Sequence, residues 1–183
     1  INPQNELTPF YPRSPYAVSK LFSHWMTVNY REAYNIFACS GIAFNHESPL
    51  RGSEFVTKKI VESLHKISLN DTECLYLGNI DSKRDWGFAG DYVEAMWLMM
   101  QHNTPDDYVV STGKTYSVRY FIEKACPYFG IELVWKGEGL NEVGINKINN
   151  KEIIKISKEF YRPTEVDLLI GDSSKIFNTL KWS

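Results

Sequence analysis

Between residues 15 and 34, apolar side chains recur at three- and four-residue intervals: Val18, Leu21, Phe22, Trp25 and Val28. This is the stripe of an amphipathic helix. Ser14 is placed to cap it and Pro15 to occupy its first turn. At about 100° per residue, Tyr16, Lys20, Ser23 and Thr27 fall opposite that stripe, a polar row suited to the wall of a cleft. A nearly continuous apolar run over 36–44 has the length of a buried parallel strand. The polar turn Asn45-His46-Glu47-Ser48-Pro49-Leu50-Arg51-Gly52 follows it. Residues 55–69 read as a second amphipathic helix with Val56, Ile60, Leu64 and Ile67 inward. Short strands are expected at 74–77, 84–88, 108–111 and 131–135. Helices are expected at 92–101 under an Asp91 cap, from Ser117 to about 129, and from an Asp172 cap to Trp182. The stretch 136–151 reads as loop, and the proline-rich first 15 residues as an extended connector. Strand and helix alternate, which predicts an α/β class with α+β character toward the C-terminus.

Composition narrows the function. Of 183 residues, 43% are hydrophobic and 23% charged, and the formal net charge is -2. No bulk basic field invites nucleic acid or an anionic membrane, and no run approaches the ~20 apolar residues of a membrane span. The N-terminal residues are polar and proline-rich, unlike a secretory signal. Cys39, Cys74 and Cys126 are an odd number, far apart and without a CxxC pairing. Free thiols in a reducing cytosol are expected, with neither a disulfide framework nor a zinc site.

Several positions carry candidate chemistry. Tyr16 and Lys20 stand one helical turn apart on one face. A neighbouring ammonium favours the phenolate, so the pair can supply a general base, although the same spacing also arises as a chance solvated pair. Asn45, His46 and Arg51 follow a strand, where α/β proteins place ligand contacts, although a plain surface turn has the same composition. No second His or Cys at ligand spacing accompanies His46. Lys58 and Lys59 open a helix whose amino end favours anions, or are merely solvated. Arg84 and Arg162 each sit beside an aromatic residue. They suit a bidentate grip on a diphosphate, or are structural ion-pair arginines. Neither G-x-G-x-x-G nor G-x-x-G-x-x-G occurs in the chain, so it encodes no Rossmann pyrophosphate cradle.

The run TPFYPRSPYAVSK resembles the segment around the active-site tyrosine of extended short-chain dehydrogenases. The similarity is greatest to their GDP-mannose 4,6-dehydratase branch. VNYREAYNIFA, FNHESPLRG, FVTKKI, KRDWG, DYVEAMWLMMQ and YRPTEVDLLIGD continue it in order over nearly the whole chain.

The resemblance implies the last part of a Rossmann-type sheet with the Tyr/Lys helix over 1–48. A mainly substrate-binding domain over 49–183 follows, with segments at about 80–111 returning to the Rossmann-type part. It implies Tyr16 as catalytic base, with Lys20 lowering its pKa and binding the nicotinamide ribose. His46 and Arg51 fall on the NADP side, Asn45 on the sugar nucleotide, and Val56 and Lys59 beside guanosine. Arg84 and Arg162 form the diphosphate clamp, and Glu165 partners the nucleoside.

The implied reaction oxidises the sugar at C4, eliminates water across C5 and C6, and returns hydride to C6. GDP-mannose thus becomes GDP-4-keto-6-deoxymannose, with NADP recycled. The second acid/base pair of such enzymes lies further upstream of the tyrosine than the 15 residues preceding Tyr16. The chain is therefore expected to be the C-terminal part of a longer protein, with a further helix beyond Trp182, and to be inactive by itself. A non-catalytic sugar-nucleotide-binding fragment and a related epimerase or dehydratase are the alternatives. A homo-oligomer associating through the Trp25 helix is expected. Leu50 replaces an arginine of the usual Pro-Arg-Arg-Gly run, and Phe88 and Gly90 replace polar residues.

Overall fold

The computed structural model describes residues 3–161, 166 and 168–182. In chain order the elements are α1 (Pro15–Tyr34), β1 (Ser40–Ala43), β2 (Asn45–Glu47), α2 (Val56–Ser68), β3 (Leu75–Leu77), β4 (Lys83–Arg84), β5 (Trp86–Phe88) and α3 (Ala89–Gln101). They continue with β6 (Asp107–Val110), β7 (Tyr116–Ser117), α4 (Val118–Ala125), β8 (Leu133–Lys136), β9 (Val143–Asn146), β10 (Lys151–Ile156) and α5 (Ser174–Leu180). They gather into two compact units. The first holds Ile1–Ser48, Arg84–Thr115 and Leu168–Ser183; the second holds Pro49–Lys83 and Tyr116–Asp167.

In the first unit, β1 pairs in parallel with β6, Ser40 opposite Asp107, and β2 pairs in parallel with β5, Asn45 opposite Trp86. Its core gathers Tyr92, Ala95 and Met99 of α3, Tyr108 and Val110 of β6, Ile176 of α5, and Trp182. The Trp182 indole donates to the Asp91 carbonyl at 2.8 Å. Helix α1 begins where the sequence places it. Ser14 Oγ accepts the Ala17 N–H at 3.1 Å, and Asn35 ends the helix in the left-handed region at φ 53°.

The face that α1 presents differs from the expectation. Ala17, Leu21, His24, Val28 and Arg31 are half-buried, whereas Val18, Phe22 and Trp25 are exposed. The inward seam is thus rotated away from the apolar stripe, and polar anchors fix it. The Arg31 guanidinium donates to both Asp107 carboxylate oxygens, at 2.9 and 3.0 Å, and to the Ala38 carbonyl at 3.0 Å.

The second unit is built on a four-stranded sheet in the order β3-β10-β9-β8. β3 lies parallel to β10, and the other pairs are antiparallel. α2 packs against α4 and β3. Ile60, Leu64, Ile67, Ile122, Ile153 and Ile154 are buried, but Val56 is exposed and Thr57 takes the inward place at the start of α2.

Other expectations need correction. Asn45–Glu47, read as a turn, is a strand because β5 offers it a parallel edge. The supposed loop at 136–151 contains β9 and a one-turn 3-10 helix, Gly139–Asn141, and reaches the start of β10. Asp91 lies inside the first turn of α3, where its charge complements the helix dipole, and Phe88 holds the N-cap position. Ser173 is the N-cap residue of α5, and Asp172 accepts the Ser174 N–H at 2.9 Å from just outside.

Candidate functional site

Tyr16, Lys20 and His46 line one cleft of about 640 Å³ within the first unit. Phe10 and Tyr11 from the connector, Thr27 from α1, and β1 complete its walls. The Pro15 start of α1 places Tyr16 in the first turn, and the one-turn spacing carries Lys20 to the same side. Lys20 Nζ lies 5.6 Å from the Tyr16 ring centre, and the Tyr16 side chain is 70% exposed. His46 is held more firmly. Its Nδ1 lies 2.9 Å from the Phe44 carbonyl oxygen and donates to it, leaving Nε2 as the second polar atom of the ring. The ring packs against Tyr92 with centroids 5.0 Å apart. Burial, with the charges of Asp85 and Asp91 adding to it, pushes the Tyr92 phenol far up. Tyr92 is therefore a neutral packing partner at ordinary pH.

Beneath the cleft, the Arg31–Asp107 pair sets the seat of α1. Burial by itself would raise the Asp107 carboxyl. Hydrogen bonding and charge from Arg31 outweigh that and hold it below the usual aspartate range. Asn45 is half-buried on β2, paired with Trp86, and Arg84 is half-buried on β4. A second cavity of the same unit, about 690 Å³, lies among Asp91, Ser111, Gly171, Phe177 and Trp182, and none of Tyr16, Lys20 or His46 lines it.

The second unit carries another set of expected residues. The Arg51 guanidinium lies 3.5 Å from the Phe55 ring centre, a cation–π contact. Val56 and Lys59 open α2. Lys59 Nζ donates to the Tyr76 carbonyl at 2.8 Å and sits 3.9 Å from the Phe160 ring centre, and burial lowers its pKa. Arg162 and Glu165 lie outside the described residues.

Sequence reasoning passed over Phe160 beside Lys59. It also passed over Asp85, a fully buried carboxylate next to Arg84. Its signal was present in an acidic residue standing directly before the apolar Trp86-Gly87-Phe88 run. Burial pushes the Cys126 thiol up to about 12, which makes it an inert thiol, and also raises Cys74. Glu6 is engaged through Oε1, which accepts the Val109 N–H at 2.7 Å. Among the described residues no helix is long and apolar enough to cross a membrane. Nor, among them, are three or more His, Cys, Asp or Glu placed to hold a metal ion.

Comparison with known proteins gives one answer at the level of sequence. GDP-mannose 4,6 dehydratase of Drosophila melanogaster is 55% identical over 181 residues, which are 99% of this chain and 46% of the relative. The Homo sapiens protein of that name is 55% identical over 98% of this chain and 48% of its own length. For that of Sinorhizobium fredii the values are 54%, 98% and 51%. The chain thus spans about half the length of the curated relatives it matches. Among solved structures, RMD from Pseudomonas aeruginosa, complexed with NADPH, superposes with a TM-score of 0.80 at 20% identity, covering 99% of this chain and 54% of that one. dTDP-glucose 4,6-dehydratase from Bacillus anthracis, in complex with NAD, gives 0.76 at 17%, covering 100% and 50%. At such identities the likeness shows the fold, a mixed α/β arrangement shared with about half of each of those chains. The family model described as GDP-mannose 4,6 dehydratase matches residues 1–183, so this chain belongs to the GDP-mannose 4,6-dehydratase family.

Proposed function

We propose that this chain is the substrate-binding and tyrosine-bearing part of an NADP-dependent GDP-mannose 4,6-dehydratase. The observation that carries the reading is the meeting of Tyr16, Lys20 and His46 in one cleft. The identity of 55% to relatives bearing that name supports the substrate. The fold neighbours from P. aeruginosa and B. anthracis, complexed with NADPH and NAD, support a nicotinamide cofactor. The cleft fits the nicotinamide riboside end of one. An ammonium and a phenol stand a helical turn apart, and the imidazole is fixed through Nδ1. Bound there, the cofactor would take hydride from the sugar and later return it.

Of the protein groups involved, this chain supplies the base at C4 and the contacts that hold cofactor and sugar nucleotide. Lys20 favours the Tyr16 phenolate, which accepts the proton of the sugar 4-hydroxyl as C4 is oxidised and so becomes the neutral phenol. The C4 ketone then acidifies the C5 proton, which is lost along with the 6-hydroxyl as water. Addition of the returned hydride at C6 and of a proton at C5 removes the resulting double bond and completes GDP-4-keto-6-deoxymannose. His46 and Arg51 contact the cofactor, Asn45 the sugar nucleotide, and Val56 and Lys59 the guanosine. Arg84 and Arg162 grip the diphosphate, and Glu165 meets the nucleoside. The uncovered α1 face carrying Val18, Phe22 and Trp25 supports a homo-oligomer, and the free thiols support a cytosolic home.

Incubating the complete protein with GDP-mannose and NADP tests this reading. Mass spectrometry should find a nucleotide sugar lighter by one water, with no net accumulation of NADPH. GDP-mannose left unchanged while a dTDP- or UDP-sugar is consumed would move the chain to another branch of the fold.

A further inference from the structure

Asp85 stands between β4 and β5, one residue after Arg84, and its carboxylate is fully buried. Four hydrogen bonds reach it from uncharged donors. Oδ1 accepts the Thr112 backbone N–H at 2.9 Å and the Thr112 hydroxyl at 2.6 Å. Oδ2 accepts the N–H of Gly113 at 3.0 Å and that of Gly171 at 3.2 Å. Taking a carboxylate out of water is costly unless such donors replace its hydration. If closing these three segments were all that mattered, an apolar contact of similar volume would do as well or better. A carboxylate with its acceptor sites filled instead fixes the direction and distance of every segment it binds.

The surrounding backbone is shaped to reach it. Gly113 lies in the left-handed region at φ 69°, which disfavours a side chain. Gly171 passes so close to Ser111 that a Cβ there would overlap its side chain, and it would come within 2.9 Å of the Phe44 ring. On either side of Gly171 the chain is tied again, by the Gln4 N–H to the Ile170 carbonyl and the Asp172 N–H to the Gln4 carbonyl, both at 2.8 Å. The peptide that bears Arg84 is therefore anchored through its neighbour to two further segments of the first unit.

We propose that Asp85 is a positioning residue, whose buried hydrogen-bond knot fixes the backbone from which Arg84 reaches the diphosphate of the sugar nucleotide. This rests on the assignment of Arg84 to the diphosphate clamp. The prediction concerns substrate binding more than chemistry, because Asp85 does not line the cleft that holds Tyr16. Thr112→Val removes, at nearly constant shape, the hydroxyl that donates to Asp85 and accepts the Lys114 N–H at 3.2 Å, and Asp85→Asn replaces an acceptor with a donor facing N–H groups.

The test measures KM and kcat for GDP-mannose in the complete protein for Thr112→Val, Asp85→Asn, Arg84→Ala and the Arg84→Ala/Thr112→Val double variant. Thr112→Val should raise KM by about tenfold with a smaller change in kcat, the scale of one hydrogen bond to a charged acceptor. In the Arg84→Ala background the same change should add little, because the two act through one contact. If Arg84→Ala raises KM while Thr112→Val does not, or if the two effects add fully, the positioning role is overturned and the clamp stands. If Arg84→Ala leaves KM unchanged, the clamp assignment fails and the inference fails with it. Should Asp85→Asn not fold, Thr112→Val and the double variant still decide the matter.

Discussion

The two units treat their apolar residues differently. In the second, Ile60 and Leu64 of α2, Ile122 of α4, Leu75 of β3 and Ile154 of β10 are all buried, so helix and strand periodicities close on one another. In the first, α3 buries Tyr92, Ala95 and Met99 but turns Val93, Met96, Trp97 and Met100 outward. Helix α1 has no fully buried residue and exposes Val18, Phe22 and Trp25. An apolar stripe therefore says that a face calls for cover, and it does not say what lies opposite. Where the described residues supply no apolar partner, directional contacts such as Arg31–Asp107 decide which side turns in.

Substitutions in the complete protein sharpen this contrast. Ile154→Ala in the second unit should cost about 2–5 kcal/mol, because the surrounding side chains relax only partly into the space. Trp25→Ala should behave otherwise. Its effect on the denaturation midpoint should depend on protein concentration and vanish on dilution, as the proposed association through α1 requires. A loss at Trp25 that matches Ile154→Ala at every concentration would break the comparison.

Asp107→Asn should cost about 1.5–3 kcal/mol, the range for hydrogen bonds to a charged partner. The sign with pH follows from the depressed Asp107 carboxyl. Its contribution is complete above the unfolded aspartate pKa and is lost as pH falls through the lower folded value. The stability gap between parent and variant should be full at neutral pH and shrink in acid; a gap that grows below pH ~4 would contradict the pairing.

The smallest expected effects are equal in the two units. Ser14 Oγ caps α1 from the Ala17 N–H, and Ser117 Oγ caps α4 from the Tyr120 N–H, both at 3.1 Å. Ser14→Ala and Ser117→Ala should each cost about 1 kcal/mol, whatever the burial of the helix that follows.

What the sequence made legible was local. Ser14-Pro15 and the residues after them located α1 from Pro15 to Tyr34, because capping chemistry and φ preference act within a few residues. β9 was missed because Gly144 and the Asn146–Asn150 turn hide a short alternation whose stability comes from β8 and β10. Tyr16 and Lys20 could be singled out from helical spacing and motif. Which residues they would meet depends on strand pairing, as does the placing of His46 on β2. Asp85 was overlooked for the same reason: its donors come from residues 27, 28 and 86 positions away.

The central claim is that Tyr16 is the base of the site, and Tyr16→Phe in the complete protein tests it most directly. Turnover of GDP-mannose should fall by about 10²–10⁴, the range for losing a positioned acid–base group, while binding of the sugar nucleotide changes little. Turnover within a few-fold of the parent at unchanged affinity would show that the proton leaves the sugar by another route.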